Sequence, residues 1–495
     1  MRSHTKFLAA AVCASAMMLA SPSFAAKDTI IIGMALEPTH LDPTAGAAAA
    51  IDEVLYANVF EGLTRINRNG EVKPALAESW SVSDDGKTYN FKLRTGVKYH
   101  DGTDFNADDV KFAIDRARDK DSTNAQKGLF KAIESVDVVD AATVKITLST
   151  PAGNFLFNMG WGDAVIVAPE SAEGNKANPV GTGPYKFAKW NKGSSIELVK
   201  NDGYWGNPVA INKAIFRIIP DAAAAVTSLL AGDVDAFPNF PSPEAIPQFQ
   251  ADPRFTVILG STEGETVLST NNKKPPFDNV KVRQAIAHAI DRKAIIDGAM
   301  FGMGTPIGSH FAPHHPAYVD LVNAYPYDVA KAKSLLAEAG FPDGFKATIK
   351  LPPPTYARRG GEIIAASLRE IGIDLEIIPV EWAQWIDQVF KKKDYDLSIV
   401  SHTEPQDIGI YADPKYYFQY DNAEFQAIIK KLNETVDTKA RYALMRDAQK
   451  MLSKDAVNGF LFQLAKAGVW SADLEGLWEN SPVQANDLTE VHWKK

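Results

Sequence analysis

Lys346-Ala-Thr-Ile-Lys-Leu351, Gly361-Glu-Ile-Ile-Ala-Ala-Ser-Leu-Arg-Glu-Ile371, Ile373-Asp-Leu-Glu-Ile-Ile-Pro-Val380, Glu381–Lys391 and Tyr395-Asp-Leu-Ser-Ile-Val400 follow one another with short breaks. The first, third and fifth are short and rich in β-branched residues, so they read as strands. The second and fourth carry apolar residues at helical spacing. A β-α-β-α-β order implies parallel strands joined by right-handed crossovers. In such a sheet ligands sit beyond the carboxyl ends of the strands. Three segments meet that condition: Pro352–Arg359, which contains Tyr356, the turn at Glu381-Trp382, and Ser401–Asp407.

Downstream, Glu424–Asp455 is a long amphipathic helical stretch. Upstream the chain is mixed and strand-rich. Ile30–Ala35, Tyr89–Leu93, Thr143–Ser149, Ser195–Lys200 and Ala214–Ile219 read as strands. Ala107–Arg118 and Asp221–Leu230 read as helices; the second opens on a capping carboxylate and stops before Gly232. Pro-rich Phe237–Pro247 and Leu351–Thr355 read as rigid connections.

Residues 1–25 have the form of an export signal. Arg2 and Lys6 precede an apolar run from Phe7 to Ala20, and Ser23-Phe24-Ala25 offers small residues for cleavage before Ala26. Cys13 lies inside the apolar run behind the bulky Val12, so lipidation is not expected. Taking Arg2 and Lys6 from the 52 basic residues leaves 50 against 61 acidic, a net charge of −11, and no thiol. Such a chain relies on a large core rather than on disulfides. Its acidity argues against nucleic acid and anionic membrane surfaces as partners.

Phosphate-loop and catalytic patterns are absent. Gly181-Thr-Gly-Pro-Tyr-Lys-Phe187 is a turn feeding a strand, and Gly86-Lys87-Thr88 a hairpin turn. Gly260-Ser-Thr-Glu-Gly264 places its serine one position too early for a nucleophile elbow. His310, His314 and His315 are metal ligands by type, but adjacent imidazoles rarely converge on one ion, so a surface loop is expected and no metal or other cofactor. Trp382, Trp385, Ile386, Val389 and Phe390 form a helical core stripe. Trp382 alone starts the helix where a ring can face either a ligand or the core.

Longer words in the sequence carry a resemblance. Leu76-Ala-Glu-Ser-Trp80, Asp84–Phe91, Leu93–Gly102 and Asp108-Asp-Val110 come in order. They are followed by Asn178–Phe187, Trp190 and Asn201–Gly206. Leu230–Asp235, Val282–Ile286, Ala289–Arg292 and Ala330–Gly340 complete the set. The chain resembles the ABC-transporter solute-binding proteins of the oligopeptide, dipeptide and nickel-binding family, family 5. The resemblance implies an α/β Venus-flytrap fold of two lobes and a role without catalysis. Residues 26–261 would form lobe I, with 61–176 as its extra subdomain and 470–495 returning to it, and residues 262–469 would form lobe II. The implied molecule is a monomer in the periplasm. It would hand a small solute to a permease heterodimer with ATPase subunits, or serve as an exported sensor or chemotaxis receptor.

The resemblance also proposes a site. Peptide-binding relatives carry a Gly-Trp-x-x-Asp type segment whose aspartate takes the peptide amino group. Here His402 stands where the tryptophan would, and Glu404 or Asp407 is the candidate acid. Arginine is missing from Leu351-Pro-Pro-Pro-Thr355, where some relatives clamp a carboxylate. A peptide, a modified sugar and an opine-like conjugate therefore all stay open. Arg358 and Arg359, just ahead of the expected helix, call for an acidic partner on protein or ligand, because helix N-termini disfavour cations. Glu37, Thr39 and His40, after the first strand, are the matching candidates on the facing lobe.

Overall fold

The computed structural model describes residues 27–46 and 48–494, apart from the side chain of residue 383. The expected signal segment lies outside the described residues.

Strands from both ends of the chain join one mixed sheet. Its order is Ile373–Pro379, Phe345–Leu351, Leu397–His402, Phe255–Thr270, Gly459–Ser471, Ala236–Phe237, Thr29–Met34, Lys213–Ile218, Ser195–Lys200 and Tyr185–Asn191. Phe345–Leu351 pairs in parallel with both Ile373–Pro379 and Leu397–His402, as the alternating pattern requires. Phe255–Thr270 and Gly459–Ser471 run antiparallel along nearly their whole length. These two long strands connect the lobes, and their pairing shifts register between Ser261 and Glu265. A bulge there bends the ribbon where the lobes meet.

Apolar side chains divide accordingly. One core gathers residues from Ile30 to Ile218 with Trp470, Leu474, Trp478 and Leu488 of the C-terminal segment. Two others, built on Ile349, Leu368 and Ile399 and on Val389, Tyr411 and Phe425, lie in the second lobe. A separate antiparallel sheet of Ala77–Val82, Thr88–Leu93, Thr143–Leu148 and Ile133–Asp140 forms the extra subdomain. No helix among the described residues is long and apolar enough to cross a membrane. The fold is the two-lobed α/β Venus flytrap expected above.

Local signals account for most element boundaries. Helix Ala107–Arg118 is closed by a capping box, Asn106 accepting from Asp108 N and Asp109 accepting from Asn106 N. Helix Ala222–Ala231 starts on the Asp221 cap and ends at Gly232, whose φ of 77° is the left-handed stop. Three expectations need correction. The helix expected from Gly361 begins at Thr355, because Pro354 fixes its entry, so Tyr356, Arg358 and Arg359 are helical rather than in a preceding loop. The strand expected to end at Val400 runs to His402. The expected Glu424–Asp455 stretch is two helices, Ala423–Glu434 and Thr438–Lys454, the second restarted by the Asp437 cap.

Candidate solute site

Antiparallel register sets Glu265 of the first long strand directly opposite His402, the last residue of Leu397–His402. Beyond His402 the chain turns through Gln406 at φ 62°, and Asp407 opens a short 3-10 helix facing back to the strand end. His310 fills the space between. Its Nδ1 lies 2.9 Å from Glu265 Oε1 and its Nε2 2.8 Å from Asp407 Oδ1. Glu265 and His310 are 3% and 1% exposed. Both contacts are at ion-pair distance, yet Glu265 Oε1, His310 Nδ1 and Asp407 Oδ1 lack a well-aligned hydrogen bond. Burial alone would lower the His310 pKa, but the carboxylates of Glu265 and Asp407 reverse this and raise it to about 10. Burial in turn holds the Glu265 carboxyl well above the usual carboxylate range, which favours its neutral form and leaves the imidazolium to balance Asp407.

His402, 8% exposed, is stacked on Tyr417 at 6.0 Å and edged by Phe418 at 5.5 Å. Its Nε2 meets the Tyr417 hydroxyl at 2.9 Å. Burial lowers its pKa, so the ring is neutral. Glu404 is exposed beside it, one oxygen accepting from Thr403 N at 3.1 Å. With Glu404 and Asp407 against one imidazolium, the rim is net negative. Aromatic rings continue the wall: Tyr416 lies 6.3 Å from His402, and Phe390 packs on Tyr416 at 5.6 Å. Tyr356, at the start of its helix, accepts from Ser401 N at 3.3 Å and ties helix to strand end.

Acids also gather on the lobe I side of the long strands. Lys466, opposite Gly260, is buried, donates to Trp478 O at 2.8 Å, and has its pKa lowered to about 8 by burial. Glu53, whose charge acts on Lys466, accepts from Asn239 at 2.8 Å. Next to it in sequence, Asp52 keeps a buried oxygen without a partner, as does Asp163, which burial raises to about 7. At the bulge itself, Ser261 Oγ meets His314 Nδ1 and Glu263 Oε1 meets His314 Nε2, each at 2.5 Å. Asn480 from the C-terminal segment accepts from Ser261 N at 2.9 Å.

His402, Glu404, Asp407 and Tyr356 are thus brought together. Trp382 lies on the same side, 41% exposed, with its ring 5.7 Å from Trp385. The other expected residues go elsewhere. Arg358 pairs with Glu381 at 3.1 Å, which supplies the acidic partner from the protein, and Arg359 lies over the Phe301 ring. Glu37 is engaged by Trp190 Nε1 and Gly193 N, both at 2.8 Å. Thr39 and His40 line a cavity of about 560 Å³ bounded only by lobe I residues such as Lys176 and Trp190.

Two corrections concern burial. The expected surface loop of histidines is an interior one: His310 bridges two carboxylates, His314 joins Ser261 to Glu263, and His315 stacks on Phe311 at 4.3 Å. The expected core stripe is split, with Trp385 and Val389 buried but Ile386 and Phe390 exposed. Glu265, His310, Tyr416 and Tyr417 were not singled out by sequence as site residues. Only a known strand register could have pointed to Glu265.

The model of the bacterial extracellular solute-binding proteins, family 5, matches residues 71–426. Heme-binding protein A of Haemophilus influenzae is 32% identical over 435 residues, 78% of each chain. The glutathione-binding protein GsiB of Salmonella choleraesuis is 34% identical over 391 residues, 77% of this chain and 74% of that one. Among solved structures, the periplasmic binding protein DppA of Helicobacter pylori, in complex with the peptide STSA, superposes with a TM-score of 0.79 at 27% identity, covering 95% of this chain and 99% of that one. The chain therefore belongs to family 5 of the bacterial extracellular solute-binding proteins, the two-lobed periplasmic receptors of ABC importers.

Proposed function

We propose that this receptor captures a small peptide or peptide-like solute by its cationic amino end and passes it, chemically unchanged, to a permease heterodimer with ATPase subunits. The observation that carries this reading is the net negative rim at the end of strand Leu397–His402, where Asp407 and Glu404 flank a neutral His402. A cation placed there gains most when closing lobes exclude water. The peptide held by the Helicobacter pylori relative and the name of the glutathione-binding relative support a peptide-like ligand. A non-peptide solute, such as a modified sugar or opine-like conjugate, is the second reading, favoured by the missing arginine in Leu351–Thr355.

Ser261, His314 and Glu263 have the bonding order of an activated serine, which would suit a hydrolase. Ser261 lies within a continuous strand, however, and its amide is tied to Asn480, so a fastening of the lobe junction fits better. Export with cleavage before Ala26 and no lipid on Cys13 belongs to the same proposal; N-terminal sequencing of periplasmic protein checks it.

Mass spectrometry of solute released from purified, denatured protein identifies the ligand and whether it is altered. Calorimetry then follows on two variants. Asp407→Asn should cost about 3–5 kcal/mol, at least a hundredfold in affinity, if it strips the partner from a buried cation. Glu404→Gln, at an exposed position, should cost about 1–2 kcal/mol. Unchanged affinity in both variants would overturn amine capture.

A further inference from the structure

Helix Ala49–Leu55 follows the loop that leaves strand Thr29–Met34. Its Glu53 accepts from Asn239 at 2.8 Å, and Asn239 follows strand Ala236–Phe237, the parallel neighbour of Thr29–Met34. Glu53 and its neighbour Asp52 therefore stand beyond the carboxyl ends of the lobe I strands. The rule that picks out Ser401–Asp407 in the other lobe places a ligand there. The segment that meets Asp52 comes from the extra subdomain. It runs from Gly153, whose amide reaches Asn433 O of the second lobe at 3.0 Å, to Trp161-Gly162-Asp163. A Cβ on residue 162 would lie 2.5 Å from Asp52 Oδ1 and 2.8 Å from Oδ2. Glycine there lets the Asp52 carboxyl lie against the chain next to Asp163.

Asp163 is 5% exposed, and its Oδ1 is buried without a hydrogen-bond partner among the described residues. Asp52 Oδ1 is in the same condition. Burial, with the charges of Asp163 and Glu53 behind it, holds the Asp52 carboxyl well above the usual range, and burial raises Asp163 to about 7. Lys466 does not relieve them: its charge acts on Glu53, and it donates to Trp478 O at 2.8 Å. Two neighbouring carboxyls with unmatched buried oxygens are costly in a finished core, where such atoms find donors. Trp161, half-buried, sets its indole N–H against Asp163. An indole beside two carboxyls suits an alkylammonium or guanidinium group.

We propose that Asp52 and Asp163 form a second cation subsite, which takes a basic group of the solute while the rim at Glu404 and Asp407 takes its amino end. The solute class is then a peptide-like molecule with an ammonium or guanidinium side chain. This rests on the reading of the rim as the receiver of an amino end, and it adds what the other lobe recognises. A dication held by acids of both lobes also ties capture to closure, because either lobe alone meets only part of its charge. No covalent bond in solute or chain backbone changes. The incoming cation favours the ionised pair, so a proton leaves Asp52 or Asp163 for solvent.

Calorimetry on the whole mature protein, freed of bound solute by unfolding and refolding, tests this with three probes. They are Ala-Lys, Ala-norleucine, which lacks only the side-chain ammonium, and cadaverine, a diamine without a peptide group. The parent should bind Ala-Lys at least tenfold more tightly than Ala-norleucine. Asp52→Asn and Asp163→Asn should each erase that preference and leave the Ala-norleucine affinity nearly unchanged. Near neutral pH, Ala-Lys should release protons, read from buffers of different ionisation enthalpy, and both variants should release fewer. An acid pair with a purely structural role predicts no such difference. Comparing the two dipeptides on the parent needs no variant, so it decides even where a substitution prevents folding. Equal affinity for both dipeptides, or a preference that survives both substitutions, overturns the second subsite and keeps amine capture at the rim. Cadaverine bound in an Asp52-dependent manner, with neither dipeptide bound, keeps the subsite and removes the peptide. Binding of none of the three probes overturns both.

Discussion

His100 holds the Gly181–Gly183 turn in place through both ring nitrogens. Nε2 donates to Gly183 O at 3.0 Å, and Nδ1 accepts from Gly181 N at 3.3 Å. Only the neutral ring can do both, and burial lowers its pKa to about 4 from 6.5. Between those values the unfolded chain binds a proton that the folded chain refuses. Stability from this residue is therefore complete above pH 6.5 and lost as pH falls towards 4, by up to about 3 kcal/mol. Urea unfolding at pH 7, 5.5 and 4.5 should show His100→Gln less stable at neutral pH but flatter on acidification. Parallel pH slopes for parent and variant would remove His100 as a source of acid sensitivity. The Asp407 and Glu404 substitutions belong to this scale too, since each removes one charge from a rim that the fold assembles from distant segments.

Among elements, the Gly181–Gly183 turn and the helix after Glu381 teach opposite lessons. A Cβ on Gly181 would stand 2.0 Å from Val59 O, a backbone atom that cannot swing aside. Gly181→Ala should therefore destabilise by about 1–3 kcal/mol or more, read from the urea midpoint, while the folded fraction keeps its solute affinity. Loss of affinity at unchanged stability would instead make the turn a ligand loop. Here the Gly-Pro word in the sequence was enough to show the turn. After Glu381, periodicity was not enough, because two adjacent ridges of the helix are apolar. Trp385 and Val389 took the core side, while the π-helical turn Ile386–Lys391 left Ile386 and Phe390 outside. Spacing alone does not say which of two apolar ridges faces inward.

At the scale of the molecule, the lobes touch away from the long strands. Gly153 of the extra subdomain donates its amide to Asn433 O at 3.0 Å, in the second lobe. A Cβ there would meet Thr435 O at 2.0 Å and Arg441 Nη1 as well, and one on Gly86 would lie 2.7 Å from Val436. These glycines let the two rims approach each other. A solute shifts the open–closed equilibrium only by its preference for closure. Gly153→Leu should prop the rims apart. Affinity for the solute recovered from the protein should fall at least tenfold, with melting of the solute-free protein nearly unchanged. Small-angle scattering should show the parent contracting on saturation and the variant not. Equal contraction in both would mean that closure does not use this contact.

Elements and family words were legible in the sequence because they depend on neighbours close along the chain: periodicity, caps, Gly and Pro turns, and short ordered blocks. They were enough for the two-lobed α/β fold and for a rim at Ser401–Asp407. The partners of that rim were not legible. Glu265 reaches it through strand register, and His310 through a loop whose histidines looked suited to solvent. A buried histidine stays charged between two acids only because their carboxylates offset its desolvation, and no one-dimensional pattern records that. Sequence determined the scaffold and the stretch of chain that offers the candidate site; tertiary packing alone decided which charges face one another there, because electrostatic pairing depends on distance and burial rather than on order along the chain.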